Sequence, residues 1–164
     1  MRGIPLLLLV PIIVATSMSL AQGSQSPGKW IGTWQLNLSK STFPPGSQSE
    51  VPQKVTDKVE AIPGGVKFTS DLVNAHGVPR QLQFAALYNG GDVPVSGNAA
   101  GPRETASVKL IDQYTYEVVW TIPGLRTGFE HIVISSDGKT LTKTIRQLYQ
   151  GHVVNAISVY DREP

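Results

Sequence analysis

The chain has 164 residues, 40% hydrophobic and 16% charged, enough for one domain with a core and too few for two. It contains no cysteine, which excludes a disulfide, a thiol nucleophile, a cysteine-based zinc site and a lipid anchor through an N-terminal cysteine. A formal charge of +2, with 14 basic residues scattered along the chain, argues against nucleic acid as a partner, since phosphate binding needs clustered Lys and Arg.

Residues 1–21 read as a signal peptide. Arg2 supplies the positive region, residues 4–14 an apolar run, and Ser19-Leu20-Ala21 a small-x-small cleavage site. The run is short of the roughly 20 residues that span a bilayer and is interrupted by Pro5 and Pro11, so no transmembrane segment is expected after cleavage. Export without disulfides suits the bacterial periplasm or medium. Residues 22–28, rich in Gly, Ser and Gln, form a flexible leader, and residues 29–164 a single domain.

From Trp30 the pattern changes to period two. Trp30, Gly32, Trp34, Leu36 and Leu38 alternate with Ile31, Thr33, Gln35 and Asn37, which predicts a strand. A loop follows over residues 41–50, because Pro44-Pro45 cannot join a ladder; a short helix is allowed over residues 39–43.

Strand-sized runs then come in succession, each closed by turn residues: residues 54–61, 66–74, 80–88, 104–111, 114–122, 126–135, 139–148 and 153–160. Asn89-Gly90 after the third of these is a strong hairpin signal, since both positions of a tight hairpin turn need positive φ. Residues 93–102, broken by Pro94, Gly97, Gly101 and Pro102, are expected at a rim. About eight or nine strands with hairpin-sized connections predict an all-β, antiparallel up-and-down barrel, the arrangement that hides the edges of a meander.

Candidate chemistry is sparse. His76, His131 and His152 show no metal-ligand spacing, and nothing calls for a cofactor. Gly138-Lys139-Thr140 mimics the end of a phosphate loop, but Val133 stands where the earlier glycine belongs. Glu117 and Glu130 lie on adjacent strands and could form a carboxylate pair, though two solvated charges on the outer face are the simpler expectation. Phe84, Tyr88, Tyr116 and Trp120, with His131 and Arg146, are the candidate ligand-binding wall of an interior pocket; the aromatic set would equally serve as filling. Arg80 and Arg126 are candidate rim charges.

The segments Gly32-Thr33-Trp34-Gln35-Leu36-Asn37-Leu38-Ser39-Lys40-Ser41, Tyr88-Asn89-Gly90-Gly91-Asp92-Val93-Pro94-Val95-Ser96-Gly97, Ser136-Asp137-Gly138-Lys139-Thr140-Leu141-Thr142 and Val159-Tyr160-Asp161 resemble uncharacterised bacterial secreted lipocalin-like proteins. Gly32-Thr33-Trp34 is similar to the Gly-x-Trp signature of the wider calycin group. The resemblance implies a calycin-type barrel in which Trp34 plugs one end, Gly32 lets a neighbouring backbone approach, and an arginine from the last strand stacks on the Trp. Arg162 is the first candidate for that arginine and Arg146 the second. Other lipocalin signatures and the C-terminal helix are not recognisable.

The expectation is therefore an exported, non-enzymatic barrel that binds an apolar or amphipathic small molecule such as a lipid, fatty acid or aromatic metabolite. The alternative is an interaction or inhibitor module that meets another envelope protein through residues 41–50 and 93–102. A barrel enzyme using His131 or Glu130 comes third.

Overall fold

The computed structural model describes residues 28–44, 51–149 and 151–164. The expected signal peptide, residues 22–27 of the leader and residues 45–50 of the Pro-rich loop lie outside the described residues. Among the described residues ten strands follow in order: β1 (Gly32–Leu36), β2 (Lys54–Ile62), β3 (Gly65–Val73), β4 (Pro79–Leu87), β5 (Val93–Pro94), β6 (Thr105–Leu110), β7 (Thr115–Ile122), β8 (Leu125–Ile134), β9 (Thr140–Tyr149) and β10 (His152–Arg162). The one helical turn among the described residues is 3-10, Leu38–Lys40, with the Asn37 side chain accepting from the Lys40 amide at its start.

All ten strands join one antiparallel sheet in the order β4-β3-β2-β1-β10-β9-β8-β7-β6-β5. Every neighbour is a sequence neighbour except at β1, which pairs with β2 on one side and β10 on the other and so ties the start of the domain to its end. Two hairpins turn on Pro-Gly, at Pro63-Gly64 and Pro123-Gly124. In each the proline presets the first corner and the glycine takes positive φ at the second, 72° and 79°.

Two expectations change at the remaining seam, between β4 and β6. Asn89-Gly90 turns the chain, with Gly90 at φ 76°, but makes no tight hairpin. The Gly90 amide donates to Val108 O on β6, so at this turn the chain leaves β4 for β6 and does not fold straight back on β4. Residues 93–102 are not simply rim. β5 pairs with β6, and Ser96 exchanges both backbone bonds with Gln83 of β4, at 2.9 Å each. That bridge and Asn89–Lys109 stitch the sheet into a barrel.

Side chains alternate across the wall as the pleat requires. Trp34, Val59, Val66, Phe68, Phe84, Ala86, Val108, Tyr116, Val118, Ile132, Ile134 and Leu141 are buried inside. Each fully buried Val, Ile or Leu among them contributes about 1.5 to 3 kcal/mol relative to exposure.

Candidate functional site

The two ends of the barrel differ. At the end where β1 begins and β10 finishes, residues 28–31 cross the opening, and the Lys29 amide donates to Gln113 O in the β6–β7 turn at 3.1 Å. Trp34 is completely buried, and its indole N–H donates to Trp30 O at 2.8 Å. The Arg162 guanidinium lies over the Trp34 ring, 4.2 Å from its centroid. It also donates to Ile31 O (2.8 Å), Lys29 O (2.5 Å) and Gly138 O (2.6 Å). Gly32 is bare where a Cβ would run into that guanidinium, so its neighbour is a side chain and not the backbone expected of it. Gly32, Trp34 and Arg162 thus close this end together; Arg146, the second candidate, is elsewhere.

An aromatic string runs inward from the plug. Trp30 meets Tyr116 at 4.9 Å and Phe68 at 6.0 Å, Tyr116 meets Tyr88 at 6.1 Å, Phe68 stacks on Phe84 at 5.1 Å, and Phe84 meets Trp120 edge-on at 5.6 Å. Burial pushes the Tyr116 phenol up and that of Tyr88 to about 12, so both stay neutral fillers of the core.

Beside this string lies a charged cluster. Asp57 points inward between Val55 and Val59, and Lys143 between Leu141 and Ile145. Asp57 is 1% exposed and Lys143 5%. Lys143 Nζ is 2.7 Å from Asp57 Oδ2 and 3.6 Å from Glu130 Oε2, and sits over the rings of Phe68 and Tyr160 at 5.2 and 5.0 Å. Burial pulls Lys143 down, but Asp57, with the oxygens of Tyr160 and Glu130, outweighs it and holds the ammonium well above the ordinary lysine range. Burial, reinforced by Asp57, pushes the Tyr160 phenol up. A lysine held charged is the opposite of the depressed lysine that nucleophilic catalysis needs.

A pH dependence follows. Both folded values lie above their ordinary values, so the stability they confer is complete below those values and is lost as pH rises through the folded ones. The urea midpoint should hold from neutrality to about pH 10, near the ordinary values of 10.0 for tyrosine and 10.5 for lysine, and fall beyond it. A midpoint that declines well short of pH 10 would contradict this.

The other end holds space. Leu82, Trp120, Glu130, Ile145 and Gln147, with Glu104 at the edge, line a cavity of about 350 Å³. Trp120 Nε1 donates to Glu130 Oε1 at 3.1 Å. Its indole lies across Gly128, where a Cβ would stand 3.0 Å from Trp120 Cδ1, and the ladder slips by a residue beside it, between Trp120 and Thr121. Nearby the wall parts, because the β8–β9 ladder ends at Gly128–Gln147 although both strands continue. Outside that parting is a second hollow of about 540 Å³, lined by Leu125, Phe129, Leu148 and Val153 with Arg126 and Arg146. The two hollows share Thr127, Gly128, Gln147 and Leu148.

Of the six residues proposed as a ligand wall, Trp120 lines the cavity and Phe84 touches Trp120. Tyr88 and Tyr116 belong to the filled half. His131 and Arg146 stand on the outer face, His131 3.9 Å from Glu117 Oε1 and Arg146 in the outer hollow. Their strands explain this: Ile132 and Ile134 hold the inward positions of β8, Leu141 and Lys143 those of β9, so 131 and 146 have the outward parity. Glu130 corrects the expectation of a solvated pair, since it faces inward while Glu117 faces out. Asp57 and Lys143 were not singled out in the sequence; a charge at the apolar parity of a strand was the available signal. Arg80 is exposed, its guanidinium donating to Asn98 O at 2.8 Å. Among the described residues no group of three or more His, Cys, Asp or Glu could hold a metal ion.

No protein-family model matches the chain, and no curated protein matches it in sequence. Solved structures do match. A Schistosoma mansoni fatty acid binding protein in complex with arachidonic acid superposes with a TM-score of 0.53 at 17% identity, covering 87% of this chain and 100% of its own. A zebrafish ileal bile acid-binding protein complexed with cholic acid gives a TM-score of 0.50 at 11% identity, covering 82% of this chain and 99% of its own. At these identities the likeness is one of fold: an all-β, antiparallel, calycin-like barrel.

Proposed function

We propose that this chain is an exported binding barrel that takes an apolar or amphipathic small molecule, such as a fatty acid, another lipid or an aromatic metabolite, in the half of its interior away from Trp34. The observation that carries the reading is the cavity of about 350 Å³ with Trp120 on its wall, at the small end of the roughly 300 to 1,000 Å³ usual for ligand sites. The apolar Leu82 and Ile145 favour a hydrophobic ligand, and Glu130 and Gln147 supply polar groups to orient it. The ligands named for the two structural neighbours lend support by analogy of fold. Export to the periplasm or medium rests on the N-terminal pattern ending in Ser19-Leu20-Ala21.

The interaction-module alternative is weaker because β5, Ser96 and Ala99 spend their backbone bonds on the wall, leaving less of residues 93–102 free to meet a partner.

Native mass spectrometry of the full chain expressed in and exported by a bacterial host tests the proposal. The expected spectrum shows a chain beginning at Gln22 carrying a non-covalent small-molecule adduct. Ile145→Trp, which fills the cavity, should lose the adduct while keeping its β-type circular dichroism. An empty wild-type barrel that also fails to take up added lipids, sterols or aromatic acids would overturn the reading.

A further inference from the structure

The charges around the cavity are unbalanced, and the imbalance bears on what the cavity can hold. Its lining includes two carboxylates, Glu104 and Glu130, and no basic side chain. Behind Glu130 stands Lys143, but its short contact, 2.7 Å, is to Asp57, and Glu130 is the more distant partner at 3.6 Å. Two carboxylates, Asp57 and Glu130, therefore share one ammonium, and Glu104 adds a negative charge to the lining that no ammonium balances. The remaining donors to the two lining residues are neutral: the Trp120 indole to Glu130 at 3.1 Å and the Gly101 amide to Glu104 at 2.8 Å. Two further acceptors are unpartnered. Thr127 Oγ1, on the cavity wall, is buried with no hydrogen bond, and so is Oδ1 of Asp57, a residue 1% exposed.

We propose that the cavity selects an apolar molecule whose buried end is an amine, and that it discriminates against the corresponding carboxylate. The inference rests on the binding-barrel reading and names the ligand class for that same site. An ammonium brings three N–H donors and no acceptor, which suits a wall offering Glu130, Glu104 and Thr127 Oγ1. A carboxylate in the same position would meet like charges from Glu104 and Glu130, which disfavours an anion. Outside the β8–β9 parting the sign reverses, because Arg126 and Arg146 line the outer hollow. An anionic group is therefore met at the outer surface, and only the cationic or neutral end of a molecule is accommodated within. The specificity is opposite to that expected from the acids bound by the two structural neighbours.

Isothermal titration calorimetry of the exported, delipidated protein at neutral pH with decylamine, decanol and decanoate tests this, since the three share a chain and differ only in the head. Decylamine should bind at least about tenfold more tightly than decanoate, with decanol between, a ratio equivalent to about 1.4 kcal/mol. Glu130→Gln should shrink that ratio to about threefold or less by removing the nearer anion. Glu104→Gln, at a partly exposed position, provides a second reading should Glu130→Gln fail to fold. Decanoate binding as tightly as decylamine, or an amine preference unchanged in both variants, would overturn the amine assignment while leaving the binding barrel standing. Failure of all three ligands, with no other lipid, sterol or aromatic acid taken up, would remove both.

Discussion

Lys143→Met should destabilise the barrel by about 3 to 5 kcal/mol, the usual cost of removing one partner from a buried ion pair. The ammonium is the positive group against Asp57, and both side chains are nearly inaccessible. Without it Asp57 has no partner on either oxygen, because Oδ1 already lacks one, and Glu130 keeps only the indole N–H of Trp120 and its 15% exposure to water. Methionine fills a similar volume and keeps contact with the Phe68 and Tyr160 rings, so the loss measures charge and not a void. The double variant Asp57→Leu/Lys143→Met should recover most of the loss, since replacing both partners of a buried pair by apolar groups is often neutral or stabilising. Urea unfolding at neutral pH measures both. A single-variant loss under about 1 kcal/mol, in the range of exposed pairs, would mean that water reaches the cluster.

Trp34→Ala should cost a comparable amount, about 3 to 5 kcal/mol, for a different reason. The indole is completely buried, donates to Trp30 O and forms the face on which Arg162 lies. Its removal opens a void beneath the strap of residues 28–31 and leaves Trp30 O without its donor. The guanidinium keeps its bonds to Ile31, Lys29 and Gly138, so the end should loosen without opening fully. The effect on ligand uptake should be small if the variant remains folded, because the cavity is at the far end. A loss under about 1 kcal/mol, the size of a surface substitution or little more, would show that the plug does not support the fold.

Much of the fold was legible because the chain obeys simple rules. β2, β3, β4 and β6 to β10 each follow a period-two run closed by Gly, Pro, Asn or Asp, and their observed bounds lie within two residues of the expected ones. β5 escaped detection since two residues, one a proline, carry no periodicity. The seam it fills depends on a pairing between Ser96 and Gln83 that no local pattern announces. The interior was harder to read. Phe84, Tyr88, Tyr116 and Trp120 point inward as their parity requires, but His131 and Arg146 were assigned by chemistry although their own strands give them the outward parity. The Asp57–Lys143–Glu130 cluster was hidden by the converse habit of treating every charge as solvated. In Val55-Thr56-Asp57-Lys58-Val59 the acid stands at the valine parity, and in Leu141-Thr142-Lys143-Thr144-Ile145 the lysine does so too. Reading those positions as deliberate would have located the polar side of the interior.

The plug also sets an order of events in time. Nearly every ladder joins neighbouring strands and can zip from its own turn, whereas Arg162 and Ile31 are 131 residues apart. Such a contact bears the loop-closure entropy of almost the whole domain and forms only once the intervening hairpins have shortened the path. The stacking of Arg162 on Trp34, like the β1–β10 pairing beside it, is therefore expected late in assembly, and slowing it should delay the burial of Trp34 more than the growth of the local hairpins.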